Sequence, residues 1–196
     1  MQAVDGTVHA RRDATTQRIL DAARAQFEEF GVRRTTMEEV ARRAGVSRVT
    51  IYRRFEQKER LVEAVILREG ERFFAELSRA VGGRATLEER IVEGFVFTLA
   101  SAREHVLLNR LLESDEATLA YLTTEGGPVV AAAREYLAQQ MPRARDTQAV
   151  AEIVARLVLS FVLTPESAIK LDTPRRARAF ARRFIAPLMA RGTLPG

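Results

Sequence analysis

Cysteine is absent from the 196 residues, which excludes disulfides, thiolate nucleophiles and cysteine-ligated zinc and leaves the redox compartment open. Histidine is scarce: His9 and His105 stand far apart in sequence. No G-x-S-x-G, P-loop or dinucleotide fingerprint occurs, and nothing resembles a zinc-ligand cluster. Acidic pairs such as Glu88-Glu89 fall in capping or exposed turns, where solvation accounts for them. No catalytic residue, cofactor or metal is therefore expected. No apolar run approaches the roughly 18 residues that span a bilayer. The segment MQAVDGTVHARRDATT lacks the apolar core of a signal peptide. A cytoplasmic protein without a membrane partner is expected.

With 46% hydrophobic and 29% charged residues, the chain has the means to bury a sizeable core. The net charge of +5 is unevenly placed: residues 1–60 hold 13 Lys+Arg against 9 Asp+Glu, whereas residues 61–196 hold 18 against 17. A basic N-terminal end suits a polyanion, either nucleic acid or an anionic membrane surface, although a charge run is more often only a solvated face.

Periodicity is helical nearly throughout. Ile19, Ala23, Phe27 and Phe30 share one face of a first helix that Gly31 is placed to stop. Thr36-Met-Glu-Glu39 has the form of a capping box and starts a second, short helix with Val40, Ala41 and Ala44 on its apolar side. Gly45 suits a positive φ, and Ser47 is a good N-cap for a third helix from about Arg48 to Arg54. The pattern is helix, tight turn, helix.

That third helix has only two turns, and isolated helices below roughly 12 residues are marginal in water, so Ile51 and Phe55 must anchor it. At about 100° per residue, Val49 and Arg53 then lie opposite Ile51, with Thr50 and Tyr52 on the flanks and Arg48 at the N-terminal edge. An outward face of arginine, valine, threonine and tyrosine fits a DNA major groove. There arginine pairs with guanine O6 and N7, valine meets a thymine methyl, and the polar groups hold phosphates.

The ordered set ILDAARAQFEEFG, TTMEEVARRAGVS and TIYRRF, followed by Lys58, Glu59 and Leu61, resembles the DNA-binding domain of the TetR (tetracycline repressor-like) family of transcription regulators. The resemblance covers residues 15 to 61. It implies that Arg48, Val49 and Thr50 face base edges or nearby phosphates, that Tyr52 and Arg53 contact the DNA backbone, and that Ser47 belongs to the same DNA-binding set. Thr36, at a helix N-terminus with free N–H groups, would hold a further phosphate, as would Lys58. Position 49, commonly glycine or another small residue in that family, is valine here. Arg11 and Arg12 precede the first helix as an N-terminal arm, with a disordered basic tail as the plainer reading.

Leu61, Val62, Val65, Ile66, Phe73 and Leu77 continue a helical stripe over about 58 to 80, roughly 33 Å at 1.5 Å per residue. Such a helix would act as a lever, or simply as a long core helix. Gly70 within it points to close packing or a bend. Beyond it, Thr86-Leu-Glu-Glu89 caps a helix carrying Leu87, Ile91, Phe95 and Leu99, and a shorter helix covers Val106 to Leu112. Gly82-Gly83 and Gly126-Gly127 mark breaks, and Pro128 opens a helix running to about Met141. The most apolar helix, with Val150, Ile153, Val154, Leu157, Val158, Phe161 and Val162, should end before Pro165. Thr173-Pro174 opens a last helix that Pro187 would kink, with Arg175, Arg176, Arg178, Arg182 and Arg183 as its wet side.

The expected fold is all-α: a three-helix helix-turn-helix domain at 1–58 with an N-terminal arm, joined by a long helix to a helical ligand-binding and dimerisation domain at 59–196. The resemblance implies a homodimer on a near-palindromic double-stranded DNA operator. Val154, Leu157, Val158, Phe161, Phe180, Phe184 and Leu188 are candidates for its interface, although burial inside one chain would give the same pattern. It also implies a lipophilic small-molecule effector, for which Phe95, Leu99, Leu108, Leu112, Tyr121, Tyr136 and Phe161 are candidate walls and His105, Asn109 and Glu113 candidate polar contacts. Apolar residues at this spacing are more commonly plain core. The function so implied is that of a sequence-specific transcription regulator, a repressor released by its effector. An all-helical interaction module, or a regulator without ligand control, is the alternative.

Overall fold

The computed structural model of the chain describes residues 2–114, 128–141 and 146–191, and every regular element among them is helical. Helix α1 spans Gln2–Phe30 and so takes in the stretch expected as an arm. Gly31 ends it at φ 79, in the left-handed region glycine enters freely, with its N–H donating to the Phe27 carbonyl at 3.0 Å. Helix α2, Met37–Ala44, starts on the expected capping box: Thr36 Oγ1 accepts from the Glu39 N–H, and Glu39 accepts from the Thr36 N–H. It stops at Gly45, whose φ of 63 turns the chain into Ser47. Ser47 Oγ accepts from the Thr50 N–H at 3.1 Å and opens α3, Arg48–Arg54.

Helix α4 spans Lys58–Val81, α5 Leu87–Glu104 and α6 Val106–Ser114. The chain forms two compact units, Met1–Glu69 with Val106–Glu116, and Gly70–His105 with Ala117–Gly196. The division between these units falls inside α4. Leu61 and Val65 of α4 are buried residues of the first unit, which extends the helical domain by three turns. Helix α6 belongs there too: it packs on α1, and Arg110 Nε donates to the Glu28 carbonyl at 3.3 Å. A Cβ built at Gly70 would meet nothing within 4 Å, so close packing is not what that glycine serves within this chain.

In the first unit α1 packs on α2 and α2 on α3, with Ile19, Ala23, Phe27, Val40, Ile51 and Phe55 buried. Full burial of side chains such as Phe27 and Ile51 contributes roughly 1.5 to 3 kcal/mol each. This offsets the poor intrinsic stability of a two-turn helix.

The second unit continues with α7, Pro128–Gln140, α8, Thr147–Leu163, and α9, Pro174–Phe180. A π-helical turn, Ala181–Ile185, leads directly into α10, Ala186–Arg191. The π turn is the form taken by the expected kink. Pro187 has no N–H for the carbonyl four residues back and its ring crowds that carbonyl, and the Ala186 N–H reaches five residues back to Ala181 instead. Val92, Phe95, Leu99, Ala151, Val154, Ala177, Ala181 and Ile185 form the core. Arg178, expected on the wet side, instead makes a two-pronged ion pair with Glu93 of α5, at 2.7 and 3.0 Å. No helix among the described residues is long and apolar enough to cross a membrane.

Candidate nucleic-acid interface

The turn between α2 and α3 fixes which side chains of α3 face out. Ile51 is fully buried and Val49, two residues earlier, is 75% exposed. Arg48, Arg53 and Ser47 are exposed, and Thr50 and Tyr52 are half-buried on the flanks. The helix therefore presents the face read from its periodicity, with an apolar residue at its centre that no contact within the chain explains.

The polar groups of this face are already organised. Ser47 Oγ and Thr50 Oγ1 share a hydrogen bond of 2.9 Å. The Arg48 guanidinium lies over the Tyr52 ring, 5.6 Å from its centroid. Arg48 Nε is 3.0 Å from Glu38 Oε1, and the Tyr52 hydroxyl donates to that same oxygen at 3.2 Å. Glu38 is the residue of this surface that sequence reasoning missed. In sequence it is one more acid at the start of α2, and no spacing rule pairs positions 38 and 48 across a turn.

Two expected phosphate contacts sit beside this helix. The Thr36 hydroxyl donates to Glu39 Oε2 at 2.9 Å while accepting from the Glu39 N–H at 3.2 Å. Its hydrogen is thus committed to the cap. Hydrogen bonds from the Thr36 backbone and hydroxyl, with Arg42 and Lys58 nearby, hold the Glu39 carboxyl below its ordinary pKa. Lys58 Nζ donates to the Arg33 carbonyl at 3.2 Å, which ties the start of α4 to the loop before α2. An ammonium has three donors, so others remain for a phosphate.

The candidate effector contacts divide between the two units. Leu108, Asn109 and Leu112 lie half-buried on α6 of the first unit, whereas Phe95, Leu99, His105, Tyr136 and Phe161 belong to the second. Phe95 and Leu99 are core residues there. Phe95, Phe161 and Phe180 pack ring against ring at centroid separations of 5.3 to 6.3 Å, and Tyr136 stacks on Phe74 at 5.2 Å. Packing alone accounts for these burials. The side chain of Glu113 and the whole of Tyr121 lie outside the described residues. Of the candidate interface residues, Val154 is only 1% exposed within its own chain and is a core residue, a correction to the sequence reading. Leu157, Val158, Phe161 and Phe180 are half-buried, and Phe184 and Leu188 are exposed. Ile153, read from sequence only as part of the apolar stripe, is exposed as well.

Comparison with known proteins covers both units. Residues 19–65 match the family described as bacterial regulatory proteins, tetR family, and residues 87–183 match the bacterial tetracyclin repressor C-terminal domain. An HTH-type transcriptional regulator of Mycobacterium tuberculosis is 30% identical over 152 residues, 78% of each chain. A second regulator of that organism, AlkX, is 29% identical over 189 residues, 89% of this chain and 88% of AlkX. The crystal structure of the TetR family repressor AlkX from Dietzia, implicated in biodegradation of n-alkanes, superposes with a TM-score of 0.71 at 26% identity, covering 90% of this chain and 95% of that one.

Proposed function

This chain belongs to the tetR family of bacterial regulatory proteins and is a DNA-binding transcription regulator rather than an enzyme; from that premise we propose that it is a cytoplasmic, homodimeric repressor released from its operator by a lipophilic small molecule. The observation that carries the DNA side is the outward face of α3. A 75% exposed valine flanked by Arg48, Thr50, Tyr52 and Arg53 suits a groove floor carrying methyl groups and acceptors. In this reading Arg48 reads a guanine and Val49 a thymine methyl, while Ser47, Thr50, Arg53 and Lys58 hold phosphates and set the register; Thr36 and Tyr52 hold one only by giving up their hydrogen bonds to Glu39 and Glu38.

One two-turn helix reads too few bases for an operator. A second copy supplies a second recognition helix, and a near-palindromic site with half-sites roughly 34 to 36 Å apart, or at a related spacing, is what a twofold dimer demands. The exposed Ile153, Phe184 and Leu188, together with half-buried Leu157 and Val158, support an interface on α8 and the C-terminal helices. Repression needs only occupancy of DNA, with no further contact to polymerase. The lipophilic effector is supported by the likeness to AlkX, a repressor implicated in n-alkane biodegradation. Such a molecule must favour the DNA-incompetent state by its coupling energy, typically about 1 to 3 kcal/mol.

The test is fluorescence-anisotropy binding of the purified protein to the DNA flanking its own gene, against scrambled DNA, at two salt concentrations. Preference for the native segment with an affinity that falls steeply in salt is expected. Equal binding to both, repeated with fragments selected from a random pool, would sink the operator reading. Release of the bound DNA by n-alkanes is the expected effector response.

A further inference from the structure

We propose that Glu38 is the specificity-determining partner of Arg48 and Tyr52: it holds the arginine for base reading and sets a negative charge against indiscriminate phosphate binding. The inference rests on the base-reading role given to Arg48 above.

The start of α2 does not need Glu38. The capping box is complete with Thr36 and Glu39, whose hydrogen bonds run in both directions. Glu38 turns away from that cap and across to α3. One of its oxygens, Oε1, lies 3.0 Å from Arg48 Nε and accepts from the Tyr52 hydroxyl at 3.2 Å, while the guanidinium lies over the Tyr52 ring. Three side chains from two helices thus close on one another. Their purpose is not stability, since Arg48 and Glu38 side chains are 72% and 45% exposed and an exposed ion pair contributes little to folding.

Two physical consequences follow for DNA. First, the carboxylate approaches Arg48 at Nε, and the Nη1 and Nη2 edge is the one that pairs with guanine O6 and N7. The ion pair at Nε and the Tyr52 ring under the guanidinium restrict a long side chain that would otherwise sample many rotamers. Second, the carboxylate cancels one positive charge on the surface that meets the duplex. Binding to any phosphate depends on the number of charges neutralised, so this cancellation weakens contact with random DNA. A guanine edge carries only partial charges, and the penalty against it is smaller. Both effects widen the gap between operator and random sequence.

The experiment compares wild type, Glu38→Ala, Glu38→Gln, Arg48→Ala and the Glu38→Ala/Arg48→Ala double variant on an operator selected by the wild-type protein and on random duplex, across a salt series, with thermal melts to verify folding. For Glu38→Ala, binding to random DNA should tighten about threefold to tenfold with a salt slope steeper by about one, and the operator-to-random ratio should fall. Glu38→Gln keeps an acceptor for the Tyr52 hydroxyl without the charge. It should tighten random binding similarly but lose less of the ratio, and it keeps the test decisive if the alanine variant folds poorly. In the Arg48→Ala background the Glu38 substitution should lower the ratio less than in wild type, because only the charge effect then remains. An undiminished ratio in Glu38→Ala, alongside a diminished one in Arg48→Ala, overturns this inference alone, as does an equal fall with Arg48 already removed. An Arg48→Ala variant with an unchanged ratio overturns the base-reading role itself, and this inference with it.

Discussion

Val49 and Ile51 stand two residues apart on one two-turn helix, and the first is 75% exposed while the second is fully buried. Their substitutions should therefore separate. Ile51→Ala removes a buried anchor and is expected to cost about 2 to 4 kcal/mol of stability, with loss of binding to all DNA as α3 comes loose. Val49→Ala should leave the melting temperature unchanged and weaken operator binding by roughly 1 kcal/mol through a lost methyl contact, with no effect on random DNA. Melts and anisotropy titrations on the same preparations check both. Equal weakening on the two DNAs would place Val49 outside the base-reading set.

Arg48→Ala should weaken operator binding by about 1 to 3 kcal/mol and relax preference at a single operator position, as expected for loss of a bidentate guanine contact. Selection of random sequences with wild type and variant shows which position relaxes. A uniform loss across all sequences would make Arg48 a phosphate contact instead.

Lys58→Ala addresses the opposite case. Its ammonium donates to the Arg33 carbonyl, so the folded protein should lose no more than about 1 kcal/mol when that hydrogen bond goes. On DNA the loss should be alike for every sequence, and the salt slope should fall by about one. An unchanged slope removes Lys58 from the phosphate contacts.

Phe184 is 48% exposed in the single chain, too open for a residue of its size to be there for the core. Phe184→Glu should keep the helical fold, shift the protein to monomers in sedimentation, and weaken operator binding at least about tenfold, because a lone recognition helix loses its partner half-site. A dimer that persists in the variant would move the interface elsewhere.

The helix-turn-helix was legible in the sequence because its punctuation is local. Thr36 with Glu39, Gly45 and Ser47 each satisfy or redirect backbone groups within three or four residues, and the structure places the ends of α2 and α3 where those residues stand. The start of α5 at Thr86 was legible for the same reason. What failed to show depends on packing between distant segments. Periodicity draws an apolar stripe along α8 but does not say which edge the chain covers, so Val154 was read as interface while Ile153 is the exposed residue. The grouping of α6 with the first unit rests on its contact with α1, some eighty residues earlier, as the Arg110–Glu28 hydrogen bond illustrates. Pro187 announced a disturbance, but the π turn that absorbs it lies upstream of the proline. At the candidate site the outward face of α3 was readable, and the carboxylate of Glu38 facing it was not.

The ion pair between Glu93 and Arg178 yields a prediction in pH. The Arg178 hydrogen bonds, with the charges of Arg178, Arg84 and Arg182, hold the Glu93 carboxyl below its ordinary pKa, and burial opposes them more weakly. A carboxyl depressed in the folded state binds fewer protons there than in the unfolded chain, so the pair adds stability above the unfolded value. That contribution should fade as pH falls below about 4.3, the ordinary glutamate value, and disappear below the folded one. The Arg178 side chain is 40% exposed, so solvent screening keeps the pair's contribution small. Glu93→Gln should accordingly melt slightly below wild type at pH 7, and the gap should narrow as pH falls below the ordinary glutamate value of about 4.3. A gap that stays constant from pH 7 to pH 3 would mean that Glu93 acts through packing or neutral hydrogen bonds, and that its charge does not join α5 to α9.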